Sequence, residues 1–160
     1  PLSDYLREII ADAVEAVDGT VHRSGTFLIE DGPRFATRAE SHMFRSWGCD
    51  LIGMTSAPEA FLAREAEMDY ASMAHITDYD SWHEEEEAVT SNMVLQTLSK
   101  NIEIVQKALA VAIKNIDEDK VMPAHSTLDT ALATARDAMD ADVIEKLRPI
   151  VARALKLDES

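Results

Sequence analysis

The stretch GTFLIEDGPRFATRAESHMFRSWGCDLIGMT, residues 25–55, decides the fold. Residues 25–30 (GTFLIE) are a short apolar run with β-branched side chains, which predicts a strand. Asp31-Gly32-Pro33 predicts a turn. Thr37-Arg38-Ala39-Glu40 has the spacing of a capping box, in which the threonine hydroxyl accepts from the first helical turn and the glutamate reaches back. Ala39, Met43, Phe44 and Trp47 then supply the apolar stripe of a helix, and Gly48 is placed to end it. Residues 50–55 (DLIGMT) predict a second, buried strand.

Upstream of this unit, Leu2, Leu6, Ile9, Ile10, Ala13, Val14 and Val17 recur at helical spacing, and Gly19 stops that helix. Downstream, Ser56-Ala57-Pro58-Glu59 reads as another helix start, with proline in the first turn and glutamate three residues after serine. Ala60, Phe61, Leu62 and Ala63 continue it. Residues 70–77 (YASMAHIT) predict a third strand, small and apolar enough to be covered on both faces. Strand, helix, strand, helix, strand is the order of an α/β sheet with parallel neighbours. Beyond Asp80 the texture becomes helical. Thr90 is a candidate cap for a long helix through Val94, Leu95, Leu98, Ile102, Val105, Leu109 and Ile113. A helical tail follows over about residues 115–160, with Ser126 and Asp142 as candidate starts and Pro149 as a kink or break.

The totals narrow the function classes. With 160 residues there is room for one domain with a core, and the formal net charge of −15 repels nucleic acid and anionic membranes, so neither is an expected partner. No apolar run approaches a membrane span, and no secretory leader pattern opens the chain, which predicts a soluble, cytoplasmic protein. Cys49 is the one cysteine, so it forms no intrachain disulfide and reads as a small buried side chain. The chain opens on Pro1 and enters an amphipathic pattern directly, which reads as a start inside a larger protein.

Chemistry concentrates at two strand ends, Met54-Thr55 and Thr77-Asp78-Tyr79-Asp80. Ligands of open α/β sheets bind beyond the carboxyl ends of strands. Asp78 and Asp80 are two apart, so on an extended backbone both carboxylates face one way. Such a pair can bind a metal, share a proton or read a heterocycle; it can also be a solvated loop with a helix cap. His83 followed by four glutamates, residues 84–87, has metal-ligand residue types, but a run of acids is commonly a solvated segment, and no metal is expected. His75 reads as a core histidine, the methionines as core, and Tyr79 and Trp82 as packing for the loop. Arg34 and Arg38 can attract phosphate or pair with Glu40 or a neighbouring subunit.

Gly32-Pro33-Arg34-Phe35, Arg38-Ala39-Glu40-Ser41, Gly53-Met54-Thr55, Pro58-Glu59, Ala63-Arg64-Glu65, Tyr70-Ala71 and Thr77-Asp78-Tyr79-Asp80-Ser81-Trp82 stand together in one order and spacing. In these segments the chain resembles the C-terminal half of the methylthioadenosine-cleaving branch of the trimeric purine nucleoside phosphorylases. The resemblance runs from about residue 1 to about residue 109 and is densest over 32–82; Ala124-His125-Ser126 and Leu128 are similar to bacterial and archaeal members. It implies a mixed, twisted sheet with flanking helices, the whole of 1–160 forming the C-terminal part of one phosphorylase domain. It implies phosphorolysis of 5′-methylthioadenosine to adenine and 5-methylthioribose 1-phosphate, in purine and methionine salvage, by a homotrimer. Phosphate is a co-substrate and no cofactor is needed.

By motif position Asp78 faces the purine N7 and 6-position, and an aspartate there favours a 6-aminopurine. Asp80 completes that recognition and Thr77 lines the base. Phe35 packs on base or sugar, Met54 lies under the ribose, Thr55 offers its hydroxyl to phosphate, and Val94 and Leu95 line the 5′ end. Ala36 stands where a serine is typical, and Ser91 where an apolar residue borders the 5′ pocket, which opens the alternative of adenosine or another purine nucleoside. The family's glycine-rich phosphate loop and its Arg-His pair have no counterpart in the sequence. The expectation is that an N-terminal half completes the site, and that the chain by itself is inactive or serves as a non-catalytic nucleoside-binding half.

Overall fold

The computed structural model describes residues 2–83 and 91–157. Helix α1 (Asp4–Glu15) starts where the Ser3 hydroxyl accepts the Leu6 amide, and its end is closed by the Gly19 amide on the Val14 carbonyl at 2.9 Å. The left-handed residue of that closure is Asp18, φ 59°, rather than Gly19. Strand β1 (Phe27–Ile29), helix α2 (Arg38–Ser46) and strand β2 (Leu51–Gly53) form the expected crossover, and the two strands pair in parallel with Phe27 opposite Leu51 and Ile29 opposite Gly53. Gly53 is required here, since a Cβ would stand 2.9 Å from the Phe27 ring. The capping box of α2 is present as read, the Thr37 hydroxyl accepting from the Glu40 amide and the Glu40 carboxylate from the Thr37 amide. Gly48, at φ 78°, turns the chain out of α2.

The third expected strand is a correction. Residues 70–77 are extended in sequence character but carry no strand ladder. Strand geometry needs a hydrogen-bonded neighbour. The described bonds of this segment run elsewhere: the Tyr70 carbonyl accepts the Ser3 amide, and the Ile76 carbonyl accepts Asn101 Nδ2. Among the described residues the sheet is therefore the two parallel strands β1 and β2. The α/β class holds, with helices α3 (Ser56–Glu65) and α4 (Ser91–Asn115) following. At the start of α3 the Ser56 hydroxyl is spent on Ser72 and Glu59 accepts from the Tyr70 hydroxyl, so the anticipated serine–glutamate cap does not form. Thr90, the expected cap of α4, lies outside the described residues.

The core lies between α1 and α4. Ala13, Val14, Ala108 and Ala112 are buried, with Ile9, Ile10, Val17, Val21, Met73 and Val111 packed around them. Alanines on both sides let the two helices approach closely. The Asp117 amide on the Tyr5 hydroxyl at 2.8 Å fixes the far end of the seam.

The tail holds a 3₁₀ turn (Pro123–Ser126), the short helix α5 (Leu128–Ala131), a second 3₁₀ turn (Arg136–Ala138) and helix α6 (Ala141–Leu155). Three expectations are corrected there. Ser126 sits inside the first 3₁₀ turn and caps nothing. Helix α6 is capped by Asp140, whose Oδ1 accepts the Asp142 and Val143 amides, so Asp142 is in the first turn and not at the cap. Pro149 lies within α6 without breaking it. Pro149 and Glu145 are both exposed, so the carbonyl that loses its partner is on the solvent side, while Val151 and Arg153 hold the remainder. Glu67 fastens the tail to the body: its carboxylate accepts the Leu128 amide and both Arg153 donors, and Arg153 also reaches Asp129. These bonds hold the Glu67 carboxyl below the usual range, the Arg153 contact being the largest cause.

Candidate functional site

The exits of β1 and β2 lie side by side, whereas the second exit expected to carry chemistry, at Thr77–Asp80, follows a segment without a strand ladder. Glu30, just past β1, donates its amide to the Gly53 carbonyl at 2.9 Å, and beyond it Gly32 lies against Met54, whose sulfur would be 3.4 Å from a Cβ at that glycine. Met54 is half-buried and Thr55 exposed. Thr55 occupies the cap position of α3, and its side chain makes no capping bond, so the hydroxyl is left for another acceptor or donor.

The turn after residue 76 carries the carboxylates. Thr77 donates its hydroxyl to Asp78 Oδ1 at 2.5 Å, a bond that orients one edge of an exposed carboxylate. Asp80 is half-buried and closes its own turn, with Oδ1 accepting the Ser81 amide at 2.7 Å and its carbonyl the His83 amide at 3.0 Å. The two acids thus differ. Asp78 is exposed and has no described bond to its second oxygen, while Asp80 spends one on structure. The reading of Tyr79 and Trp82 as packing groups holds: the Tyr79 ring stacks on His83 at 4.6 Å and meets Trp82 edge-on at 5.9 Å. Glu84 to Glu87, the acids beside His83, lie outside the described residues.

The loop after β1 forms a second wall. Ala36 is buried, and its carbonyl accepts the Ser81 hydroxyl at 3.5 Å, joining this loop to the acidic turn. Phe35 is 83% exposed, so this chain leaves its ring uncovered. Arg34 pairs with Glu40 through two nitrogens at 2.6 and 2.8 Å, the structural option foreseen for it. That pair and the Thr37 amide hold the Glu40 carboxyl at about 2.

Helix α4 approaches through Asn101 and its bond to Ile76. Val94 is half-buried and Leu95 exposed, about two helical turns before Asn101. Ser91 begins the helix, and its side chain lies outside the described residues. The structure ties Ala36 to Asp80 through Ser81, and Thr77 to Asp78 by a separate bond; Met54 and Thr55 stand at the end of β2, and among the described residues no hydrogen bond of Val94 or Leu95 with either set is found. His75 is half-buried in the unpaired segment and not in a strand core. Met43 and Met68 are exposed, against the reading of the methionines as core, whereas Met122 is buried.

Two hollows flank these elements. One of about 400 Å³ lies wholly in the tail, between the α5 end and α6, and none of the predicted site residues lines it. The other, about 40 Å³, is lined by Asp80, Arg45, Trp82, Ser41 and Asp50. Ser41 is 1% exposed and its hydroxyl has no hydrogen-bond partner. Sequence reasoning missed Arg45 and Ser81. The signal for Arg45 was its i,i+4 spacing from Ser41, which places both on one face of α2.

Comparison with known proteins fits this geometry. Residues 1–114 match the phosphorylase superfamily. The chain is 45% identical over 153 residues to the S-methyl-5′-thioadenosine phosphorylase of Chloroflexus aurantiacus, covering 96% of the chain and 53% of that protein. It is 41% identical over 159 residues to the enzyme of that name from Thermosynechococcus vestitus, covering 97% of the chain and 55% of the relative. A crystal structure of a methylthioadenosine phosphorylase from an Antarctic soil metagenomic library superposes with a TM-score of 0.86 at 39% identity, over 94% of this chain and 54% of that one. The Schistosoma mansoni methylthioadenosine phosphorylase, solved with adenine, does so with a TM-score of 0.74 at 31% identity, over 87% and 55%. The chain spans about half the length of the curated relatives it matches. With that match over most of its length, the chain belongs to the phosphorylase superfamily.

Proposed function

We propose that this chain supplies the base-recognising part of an enzyme that cleaves 5′-methylthioadenosine with phosphate, releasing adenine and 5-methylthioribose 1-phosphate. The observation that carries the reading is the Thr77–Ser81 turn, in which Asp78 is exposed with one oxygen held by Thr77 and Ser81 bonds to the Ala36 loop. In the reaction a phosphate oxygen bonds to C1′ and the bond from C1′ to N9 breaks. The electron pair passes into the purine. A group at N7 that donates a proton or hydrogen bond stabilises that charge only as it develops, which is where rate is gained. Asp78 is that group. As a carboxylic acid it donates to N7; as a carboxylate it accepts from the exocyclic amine. Asp80 and Thr77 complete the edge, Phe35 covers the base or sugar, Met54 underlies the ribose, and Val94, Leu95 and Ser91 border the 5′ group.

Thr55 contributes one hydroxyl toward phosphate. One hydroxyl does not hold a dianion against a net charge of −15, so further donors belong to the N-terminal half of the protein. Exposed Phe35, Trp47, Phe61 and Ile76 offer apolar surface to that half and to neighbouring copies in a homotrimer. The substitution itself needs no cofactor or metal. A place in purine and methionine salvage, in the cytoplasm, follows from the substrate; among the described residues no helix is long and apolar enough to cross a membrane.

A second reading, adenosine as co-equal substrate, is favoured by Ser91 at the 5′ end and by relatives from Schistosoma mansoni described as adenosine/methylthioadenosine phosphorylases. Phosphate-dependent adenine release from methylthioadenosine, adenosine and inosine, measured on the complete protein, decides between them. The expected order is methylthioadenosine, then adenosine, then inosine. No phosphate-dependent release from any of the three would refute the enzyme reading.

A further inference from the structure

The acidic turn poses a mechanical problem. It carries both recognition carboxylates, yet the segment leading into it has no strand ladder to hold it. Its long-range hydrogen bonds are modest, Asn101 to the Ile76 carbonyl at 3.3 Å and Ser81 to the Ala36 carbonyl at 3.5 Å. A further link to the body is of another kind. The Arg45 guanidinium, in the last turn of α2, lies 3.4 Å from the centroid of the Trp82 ring. Trp82 in turn meets His83 and Tyr79 edge-on at 5.1 and 5.9 Å, so one cation sits on an aromatic cluster that spans the turn. Arg45, Trp82 and Asp80 line the same small hollow.

We infer that Arg45 is a positioning residue for base recognition: by stacking on Trp82 it clamps the turn bearing Asp78 and Asp80 against helix α2. The inference rests on the purine-site reading above. A planar, delocalised cation suits this role, because it lies flat on an indole face that a lysine ammonium meets only as a point charge. The position also suits a cation, at the negative end of the α2 dipole. Arg45 is exposed, so its truncation removes the clamp without opening a core cavity.

The test uses the complete protein with Arg45→Ala, Arg45→Lys, Trp82→Leu and the double variant Arg45→Ala/Trp82→Leu. Adenine affinity is read by calorimetry, KM for phosphate by steady-state assay, and melting temperature by calorimetric scan. The expected result is that Arg45→Ala weakens adenine by about tenfold and Arg45→Lys by about threefold, with phosphate KM within about twofold. The double variant should lose little beyond Arg45→Ala alone, because both residues act through one contact. Wild-type adenine affinity in Arg45→Ala would overturn the clamp and leave the purine site standing. An equal weakening of adenine and phosphate with a lowered melting temperature would overturn it in favour of a general structural role. Additive losses in the double variant would also overturn it. A wild-type protein that binds no adenine would instead overturn the site reading, and the clamp with it.

Discussion

The α1–α4 seam and the turn from Thr77 to His83 are built on opposite plans. In the seam, Ala13 and Ala108 are each 0% exposed, and the buried cluster they form with Val14 and Ala112 is wholly apolar. In the turn, Asp78 and Tyr79 are exposed, and the side chains bond mainly to their own neighbours. The buried cluster of the seam is made by residues of this chain. The turn keeps hydrogen-bonding capacity unspent, as Thr55 does on the neighbouring strand exit. Residues that pack are closed off by partners already present, whereas the residues proposed for recognition keep bonding groups that no described partner takes.

That contrast can be broken at either end. The largest effect belongs to the turn. Asp78→Asn in the complete protein should lower kcat/KM for adenine nucleosides by about a hundredfold or more, while the melting temperature holds within about 2 °C, since the residue is exposed and an amide oxygen can still accept from Thr77. A variant that melts several degrees lower but turns over normally would make Asp78 a structural residue. In the seam the reverse is expected. Ala108→Leu should cost about 1–3 kcal/mol through overpacking against Ala13, seen as a lower urea midpoint at unchanged slope. A neutral result would mean that the helices are separated by more space than the burial of Ala108 indicates.

Smaller effects sharpen the boundary between body and tail. Glu67→Ala removes the acceptor of the Leu128 amide and of Arg153. The unpaired amide should cost about 1–2 kcal/mol, and limited proteolysis should cut residues 115–157 sooner than in the wild type. Equal cleavage rates would assign the docking of the tail to its apolar contacts. The smallest effect is one of pH. Glu40 has its ordinary value at 4.5 and is held at about 2 in the folded chain by Arg34 and Thr37. The folded state therefore binds this proton more weakly than the unfolded state. Its contribution is complete above pH 4.5 and is lost as pH falls toward 2. Denaturant titrations at pH 3 and pH 6 should differ less in Glu40→Gln than in the wild type; an unchanged difference would place the acid sensitivity elsewhere, with Glu67 the next carboxylate to test.

Much of this was legible before any coordinates. The capping box at Thr37, the glycine end of α2 and the parallel pair of short strands rest on local rules, each needing only a few adjacent residues. The reading of 70–77 as a strand failed because an apolar, extended composition says what a segment could pair with, not that a partner is adjacent. Pro149 failed for the opposite reason. The cost of a proline depends on where its lost bond points, and here it points to solvent. At the site, Asp78, Asp80 and Thr55 were named from their strand ends. The roles of Arg45 and Ser81 could not be, because they arise from contacts 37 and 45 residues away in the chain, to Trp82 and Ala36.

The amino-acid order by itself determined the class of fold, the capping box of α2, and the identity of the acids at the end of the 70–77 segment. Those follow from backbone propensity and short-range hydrogen bonding, which do not depend on the rest of the chain. The tertiary structure alone decided which acid is exposed, which is half-buried and tied into its own turn, and which contacts that turn makes with the body. Such outcomes depend on the approach of segments far apart in sequence, where a displacement of an ångström separates a bond from a gap.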